Sequence, residues 1–332
     1  MPPHAQILQL TLGGMICGAI SCLARLGIPD LLEAGPKSAE EIAPQAAAHP
    51  VALYRLMRAT ASVGVLSEGP DGKFSQTPMS AALCSNANPS LRAWAILVGT
   101  DWHHRSWADL TYCVQNNKQA LEHLYGQSTV DYIFKDPERG ENFHESMTNL
   151  SMMDSPAVAA SYSFEGINSI VDVAGGLGLL LATILQRNPR MKGTLYEIPQ
   201  VIEGAKTGPL KPFLDRCTIV SGDMFTSVPA GADAYIMKHI IHDWTDDLCL
   251  KILTGCRKGV KPGGKLLVVD AVIRPGNDFD SNKFLDLEML LFPGGHERTE
   301  KQFQDLFAAA GWRLNRVIPT PANIDIVEGV PA

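Results

Sequence analysis

The sequence predicts an α/β fold: a doubly wound, mostly parallel sheet over residues 166–332, preceded by an all-helical part with one small hairpin over residues 1–165. Three observations carry this prediction. In the second half, β-branched apolar runs alternate with amphipathic stretches, the pattern of a parallel sheet covered on both faces. One of those runs passes through Val171-Asp-Val-Ala-Gly-Gly-Leu-Gly178 straight into a helical stretch, the strand-turn-helix start of a nucleotide-holding unit. The first half shows helical periodicity and turn signals instead. Length agrees, since 332 residues at roughly 150 per domain give about two domains. Apolar residues are 45% of the chain and charged residues 19%, enough apolar surface for a sizeable core.

Residues 5–24 contain no Lys, Arg, Asp or Glu, a length that could span a bilayer. Gln6, Gln9, Thr11, Ser21 and three glycines interrupt it, and no basic residue precedes it. It reads as a helix that buries an apolar face against another subunit. Ser38-Ala-Glu-Glu41 is a capping box that starts a helix over about 39–47. Pro50 suits the first turn of the next helix, with Val51, Tyr54, Leu56, Met57 and Val63 as its apolar positions. Residues 63–67 and 73–75 flank the turn Gly69-Pro-Asp-Gly72 and form a short hairpin. Helix, helix and hairpin over 25–83 make a winged-helix-like unit. It carries five basic and six acidic residues with no basic stripe, which argues against a DNA-binding regulator. Residues 86–165 are rich in aromatics, either as a packed helical core or as a hollow for a flat ligand.

In the second half, strands are expected at 169–173, 193–196, 217–220, 234–238 and 265–270, and a closing hairpin at 312–319 and 323–328. Helices fit at 178–187, 246–258 and 300–310. Thr299 and Gln302 cap the last of these, and Gly311 ends it.

The chemistry gathers at one sheet edge. Glycines in the turn after the first strand let a ligand approach the backbone, and the following helix N-terminus favours an anionic group. Gly176-x-Gly178 is followed by Leu181 where a dinucleotide fingerprint wants Gly or Ala, which disfavours a nicotinamide oxidoreductase. Glu197 ends the second strand, placed to accept hydrogen bonds from ribose hydroxyls. Asp223, followed by the apolar Met224, comes after the third. His242 follows the fourth strand, Asp270 ends its expected neighbour, and Glu297 lies in Gly294-Gly-His-Glu-Arg298. One imidazole with two carboxylates from separate segments is the pattern of a base whose tautomer and orientation are fixed by acids. Apart from that triad no cluster has metal-ligand spacing, so no metal is expected.

These motifs resemble the small-molecule O-methyltransferases of the caffeic acid, isoflavone and N-acetylserotonin type, which are cation-independent and use S-adenosylmethionine. The matching stretches are Val171–Gly178, Tyr196-Glu-Ile-Pro-Gln-Val201, Gly222-Asp-Met-Phe225, Met237-Lys238, His242-Asp-Trp244 and Gly294-Gly-His-Glu-Arg-Thr299, in family order. The resemblance implies a Rossmann-like methyltransferase sheet over 166–332 and an N-terminal, all-α, winged-helix-like dimerisation domain over 1–165 that also lines the substrate. It implies that Ser151, Ala174, Gly175, Glu197, Asp223, Met224 and Lys238 hold the cofactor. It implies that His242 is the base flanked by Asp270 and Glu297, and that Trp102, Phe143, Met147 and Met289 surround an aromatic acceptor. Three positions depart from the family: Ala174 replaces the first glycine of the turn, Glu197 replaces an Asp, and Asp270 replaces a Glu.

The expected reaction is methyl transfer to a phenolic oxygen of an aromatic, polyketide-like molecule in secondary metabolism. The same fold also admits a non-methylating decarboxylase or hydroxylase. A free phenol titrates near 10 and a free imidazole near 6.5, so full proton transfer between them is uphill by about 4.8 kcal/mol. The net charge of −7 argues against a nucleic-acid partner, and the polar residues and glycines within 5–24 argue against a membrane partner. The seven scattered cysteines, with no C-x-x-C pair, fit reduced thiols in a cytoplasmic protein, and the apolar first 24 residues together with the resemblance imply a homodimer.

Overall fold

The computed structural model describes all 332 residues, which form two compact units. One comprises residues 1–109 with 130–150, the other residues 110–129 with 151–332.

The first unit is helical with one hairpin. Helices Pro3–Thr11 and Gly13–Arg25 are separated at Leu12. Together they are long and apolar enough to cross a membrane, and Ile7, Leu8, Leu10 and Met15 on them are exposed. Ser38 accepts from the Glu41 amide while Glu41 accepts from the Ser38 amide, so the capping box forms. The helix it starts is only Ala39–Ile42. The alanine-rich residues that follow lack apolar periodicity and break into turns, with Ala47 at φ +47°. Helix Pro50–Ser62 buries Leu53 and Met57 against β1 (Leu66–Glu68) and β2 (Phe74–Gln76), which pair antiparallel. Phe74 is fully buried there, edge-on to Tyr54 at 5.8 Å.

The second unit is built on seven strands: β3 (Ser169–Val173), β4 (Lys192–Glu197), β5 (Cys217–Ser221), β6 (Ala232–Lys238), β7 (Val260–Asp270), and, after the short β8 (Val272–Ile273) and β9 (Arg298–Thr299) that pair with each other, β10 (Trp312–Pro319) and β11 (Asp325–Pro331). The sheet order is β10-β11-β7-β6-β3-β4-β5. β7 to β5 are parallel, and β11 and β10 close the sheet antiparallel. Strand alternation sorts the core into two layers. Ile170, Leu267 and Val269 face helix Leu179–Arg187, while Val171, Leu266 and Val268 face helices Asp246–Gly259 and Glu300–Ala309. Two further helices, Pro199–Thr207 and Asn282–Leu291, lie in segments where the sequence reading placed none.

The chain leaves β3 toward β4 and β5, then returns to place β6 on the other side of β3. Loops diverge at such a switch point and open a crevice at the carboxyl ends of the strands. Candidate site residues end or follow β3, β4, β5, β6 and β7, and Glu297 comes from the loop before β9.

Candidate active site

The turn after β3 is shaped by its backbone. Gly176 and Gly178 have φ of +59° and +79°, values open to glycine at little cost. A Cβ on Gly175 would sit 2.3 Å from Asp172 Oδ2 and 2.7 Å from Leu195 Cδ1, so no side chain fits there. Ala174 also adopts a left-handed backbone, φ +54°, strain of about 1–2 kcal/mol for a residue with a Cβ. Substituting Ala for the first glycine therefore strains the backbone as well as adding a methyl. The Ala174 amide donates to the Tyr196 carbonyl at 2.8 Å, which ties the turn to β4.

Glu197 ends β4 with its carboxylate held from two sides. Oε2 accepts from the Gly176 amide and Oε1 from the Ile198 amide, both at 2.8 Å. Each oxygen keeps a lone pair for a further donor. Asp223 is exposed beyond β5, and one of its oxygens accepts from the Phe225 amide at 2.9 Å. Met224 is half-buried against the core. Lys238 ends β6, and burial lowers its pKa against the opposing charges of Asp154, Asp172 and Asp270. Ser151 is half-buried on helix Pro137–Ser161, one turn before Asp154.

His242 sits in a 3-10 turn, Ile241–Asp243, just past β6, and is 7% exposed. Its Nδ1 lies 2.7 Å from Oε1 of the buried Glu297. Nδ1 therefore carries the proton and donates it to Glu297, which leaves Nε2 as the basic nitrogen. The nearest carboxylate to Nε2 is that of Asp243, at 3.6 Å, beyond hydrogen-bond reach. Asp270, at the end of β7, is 1% exposed and neither of its oxygens has a hydrogen-bond partner. Burial pushes its carboxyl up to about 7, against the pull of His242. Burial alone would make His242 less basic. The charge of Asp270 and the hydrogen bond to Glu297 outweigh it and push the ring up to about 10.

The loop bearing Glu297 is fastened tightly. A Cβ on Gly295 would fall 1.9 Å from the His242 carbonyl oxygen, so only glycine lets this loop lie on the His242 backbone. Asp286, on helix Asn282–Leu291, accepts from the Glu297 amide at 2.8 Å. Arg298 is 1% exposed and donates to the carbonyls of Ile241 at 2.8 Å and Trp244 at 3.1 Å, and to Asp246 at 2.6 Å. Its guanidinium thus clamps both ends of the turn that holds His242. The sequence reading named neither Arg298 nor Asp286 as contributors, nor His239, whose ring stacks on His242 with centroids 5.1 Å apart.

A ring nitrogen of His239, one of His242 and an oxygen of Asp270 lie within 4.8 Å of one another. Ligands of a tetrahedral zinc sit about 3.3 Å apart, so this set would have to contract to hold such an ion. Of the residues expected around an acceptor, Met289 is buried in the second unit. Trp102, Phe143 and Met147 belong to the first unit. There Trp102 is buried 6.0 Å from the Tyr132 ring, Phe143 is half-buried and Met147 is exposed.

Comparison with known proteins adds the following. Residues 107–313 match the family described as the O-methyltransferase domain, and residues 8–86 match the O-methyltransferase dimerisation domain. The chain is 37% identical over 332 residues to the phenazine O-methyltransferase PhzM of Lysobacter antibioticus, covering 100% of this chain and 97% of that protein. It is 38% identical over 317 residues to the mitomycin biosynthesis 6-O-methyltransferase of Streptomyces lavendulae, covering 93% and 89%. Among solved structures, CalO1, a methyltransferase in calicheamicin biosynthesis in its SAH-bound form, matches over 100% of both chains with a TM-score of 0.89 at 30% identity.

Proposed function

The chain belongs to the S-adenosylmethionine-dependent O-methyltransferases that act on aromatic natural products, and from that premise we propose that it methylates a phenolic hydroxyl with His242 as general base. The observation that carries this is the His242 ring, held through Nδ1 by Glu297 at 2.7 Å with Asp270 alongside.

The residues present fit the cofactor. The turn after β3 is open at Gly176, where a Cβ would meet nothing within 4 Å, and the Glu197 carboxylate is fixed beside the Gly176 amide with a lone pair to spare on each oxygen. Asp223 is exposed at the next strand end, and Lys238 stands two strands away in sheet order from β4. In this reading Ser151, Ala174, Gly175, Glu197, Asp223, Met224 and Lys238 hold S-adenosylmethionine. Trp102, Phe143, Met147 and Met289 are assigned to the acceptor. When bound, the cofactor supplies an electrophilic methyl group on a positively charged sulfur.

The work of the protein is proton management. As the acceptor oxygen attacks, His242 Nε2 takes its proton, and Glu297 keeps the ring in the correct tautomer. With the ring pushed up to about 10, the proton affinities of base and phenol match, and the uphill gap between the free groups closes. The ring must first lose its own proton, so turnover should rise with pH. A cationic centre nearby opposes protonation of the ring and helps keep it neutral.

His242→Ala should lower kcat by about 10²–10⁴-fold and leave cofactor affinity intact. Mass spectrometry of products and calorimetry with S-adenosylmethionine check both. Undiminished transfer to a phenol by a folded variant would remove His242 from the mechanism. We assign dimerisation to the first unit, where residues 8–86 match the dimerisation domain and the apolar residues of the first two helices stand exposed. A cytoplasmic setting fits seven free cysteines.

A further inference from the structure

His239 has no part in the mechanism above, yet it is built into the same corner. It follows Lys238 at the end of β6 with φ +56°, a left-handed backbone that residues with a Cβ rarely adopt. Such conformations persist where the surroundings impose them, and they gather at functional sites. Nε2 of His239 lies 3.3 Å from Asp154 Oδ2, so the carboxylate receives the Nε2 proton. Nδ1 is left as a bare acceptor, buried and without a partner. Both oxygens of Asp270 and Oε2 of Glu297 are likewise buried acceptors without donors. Buried polar atoms in folded proteins are nearly always paired. Four buried acceptor atoms without a partner in one corner are suited to a ligand that brings donors.

We infer that His239 selects acceptor molecules that carry a second hydrogen-bond donor, a hydroxyl or an amine, on the ring carbon next to the reacting hydroxyl. The donor is received by His239 Nδ1 while His242 Nε2 takes the phenolic proton. A ring nitrogen of His239 and one of His242 lie within 4.8 Å of each other and the rings stack with centroids 5.1 Å apart, so the two imidazoles address one small region, the size of two groups on neighbouring ring carbons. A lone phenol, or one whose neighbouring oxygen is methylated, leaves Nδ1 unpaired in a buried place. Sites built to pair a substrate donor reject the analogue that lacks it. This inference rests on the phenol-methylating reading above.

The test compares 2,3-dihydroxynaphthalene and 3-amino-2-naphthol with 2-naphthol and 3-methoxy-2-naphthol. The variants are His239→Gly, which removes the ring and tolerates the positive φ, and His239→Asn, which tolerates it and keeps an acceptor near the Nδ1 position. The native protein should favour the donor-bearing members by about tenfold or more in kcat/KM. His239→Gly should bring that ratio close to one by slowing the donor-bearing members, and His239→Asn should retain part of it. A ratio unchanged by His239→Gly, or no preference in the native protein, overturns the inference. Calorimetry on the protein loaded with S-adenosylhomocysteine separates this question from the reaction itself. If none of the four compounds is methylated, the reading of the reaction fails, yet tighter binding of the dihydroxy compound, lost in His239→Gly, still supports the role of His239. Equal binding of all four refutes it.

Discussion

Against its burial, His242 is kept basic by the charge of Asp270 together with Glu297, and Asp270→Asn tests the first of these while nearly preserving shape. Asp270 is the first of the charges that raise the ring, with an oxygen within 4.8 Å of a His242 nitrogen. At an effective dielectric constant of about 20, unit charges 4.8 Å apart interact by about 3.5 kcal/mol. At about 1.36 kcal/mol per unit, that is roughly 2.5 pH units. The sign follows from the form that reacts. In the proposed mechanism catalysis needs the neutral ring, so kcat/KM should rise as pH climbs through the pKa of His242. Removing the Asp270 charge lowers that pKa, and the acidic limb of the profile should move down by about two units. The asparagine enzyme then has more neutral ring at pH 7 but a weaker base, so its alkaline plateau should fall. Acceptor ionisation overlaps this range, so a direct reading is needed as well. NMR titration of ¹³C-labelled histidine follows the ring without substrate. A limb and an NMR midpoint that stay put in Asp270→Asn, or move upward, would refute the electrostatic reasoning.

Two further perturbations probe the support around the site and the far edge of the sheet. Arg298→Lys replaces a planar fork that reaches the Ile241 and Trp244 carbonyls and Asp246 with a single charged point. kcat should drop by about tenfold or more with the calorimetric Kd for S-adenosylmethionine unchanged; a parallel loss of both would indicate general damage instead. Glu328 is fully buried and receives hydrogen bonds from Tyr162 at 2.6 Å, Arg316 at 3.1 Å, Lys265 at 3.3 Å and Asn315. Burial would raise its pKa, but the Tyr162, Asn315 and Arg316 hydrogen bonds and the Lys265 charge bring it down to about 2. A carboxylate depressed in the folded state contributes stability above its unfolded pKa of about 4.3 and loses it as pH falls toward the folded value. Thermal melts over this acid range should show the native protein losing Tm more steeply than Glu328→Gln, which at neutral pH should be less stable by about 3 kcal/mol.

Much of the sheet was legible because its strands are apolar runs bounded by turn residues. The strand read at 169–173 is β3 itself, and the others begin or end within a few residues of β4 to β11. Helix Asn282–Leu291 escaped notice although it has a start signal: Ser281, directly before it, is helical and makes no side-chain cap, and the capping oxygen belongs to Asp280, which accepts from the Asn282 amide at 3.0 Å. Helix Pro199–Thr207 does open on a proline, but it is only nine residues long and stops at Gly208. The capping box at Ser38 marked a real start and could say nothing about the stop, which comes at Ile42. His242, Asp270 and Glu297 could be nominated because each closes or follows a recognisable element. His239 could not, since its importance lies in a φ of +56° and in Asp154, a helix residue 85 positions earlier. Arg298 was equally hidden, because an arginine in a sequence reads as surface until its carbonyl partners are known.

The proposed base is therefore a tertiary construction, and its parts are not interchangeable. The 3-10 turn after β6 supplies the ring, β7 supplies the charge at Asp270 through strand pairing, and the Gly295 loop supplies Glu297. β6 and β7 are hydrogen-bonded neighbours, with Lys238 paired to Val269, so Asp270 is held beside the turn by the sheet itself. Glu297 has no such ladder. Its position depends on the missing side chain of Gly295, on the Asp286 carboxylate and on the Arg298 clamp. Perturbing β7 should therefore alter mainly how basic the ring is, whereas perturbing the loop should alter mainly which way the ring faces. The first moves the pH profile and the second moves kcat at every pH. Asp270→Asn and Arg298→Lys separate the two contributions, and identical pH profiles from both variants would mean that charge and orientation are not divided between strand and loop in this way.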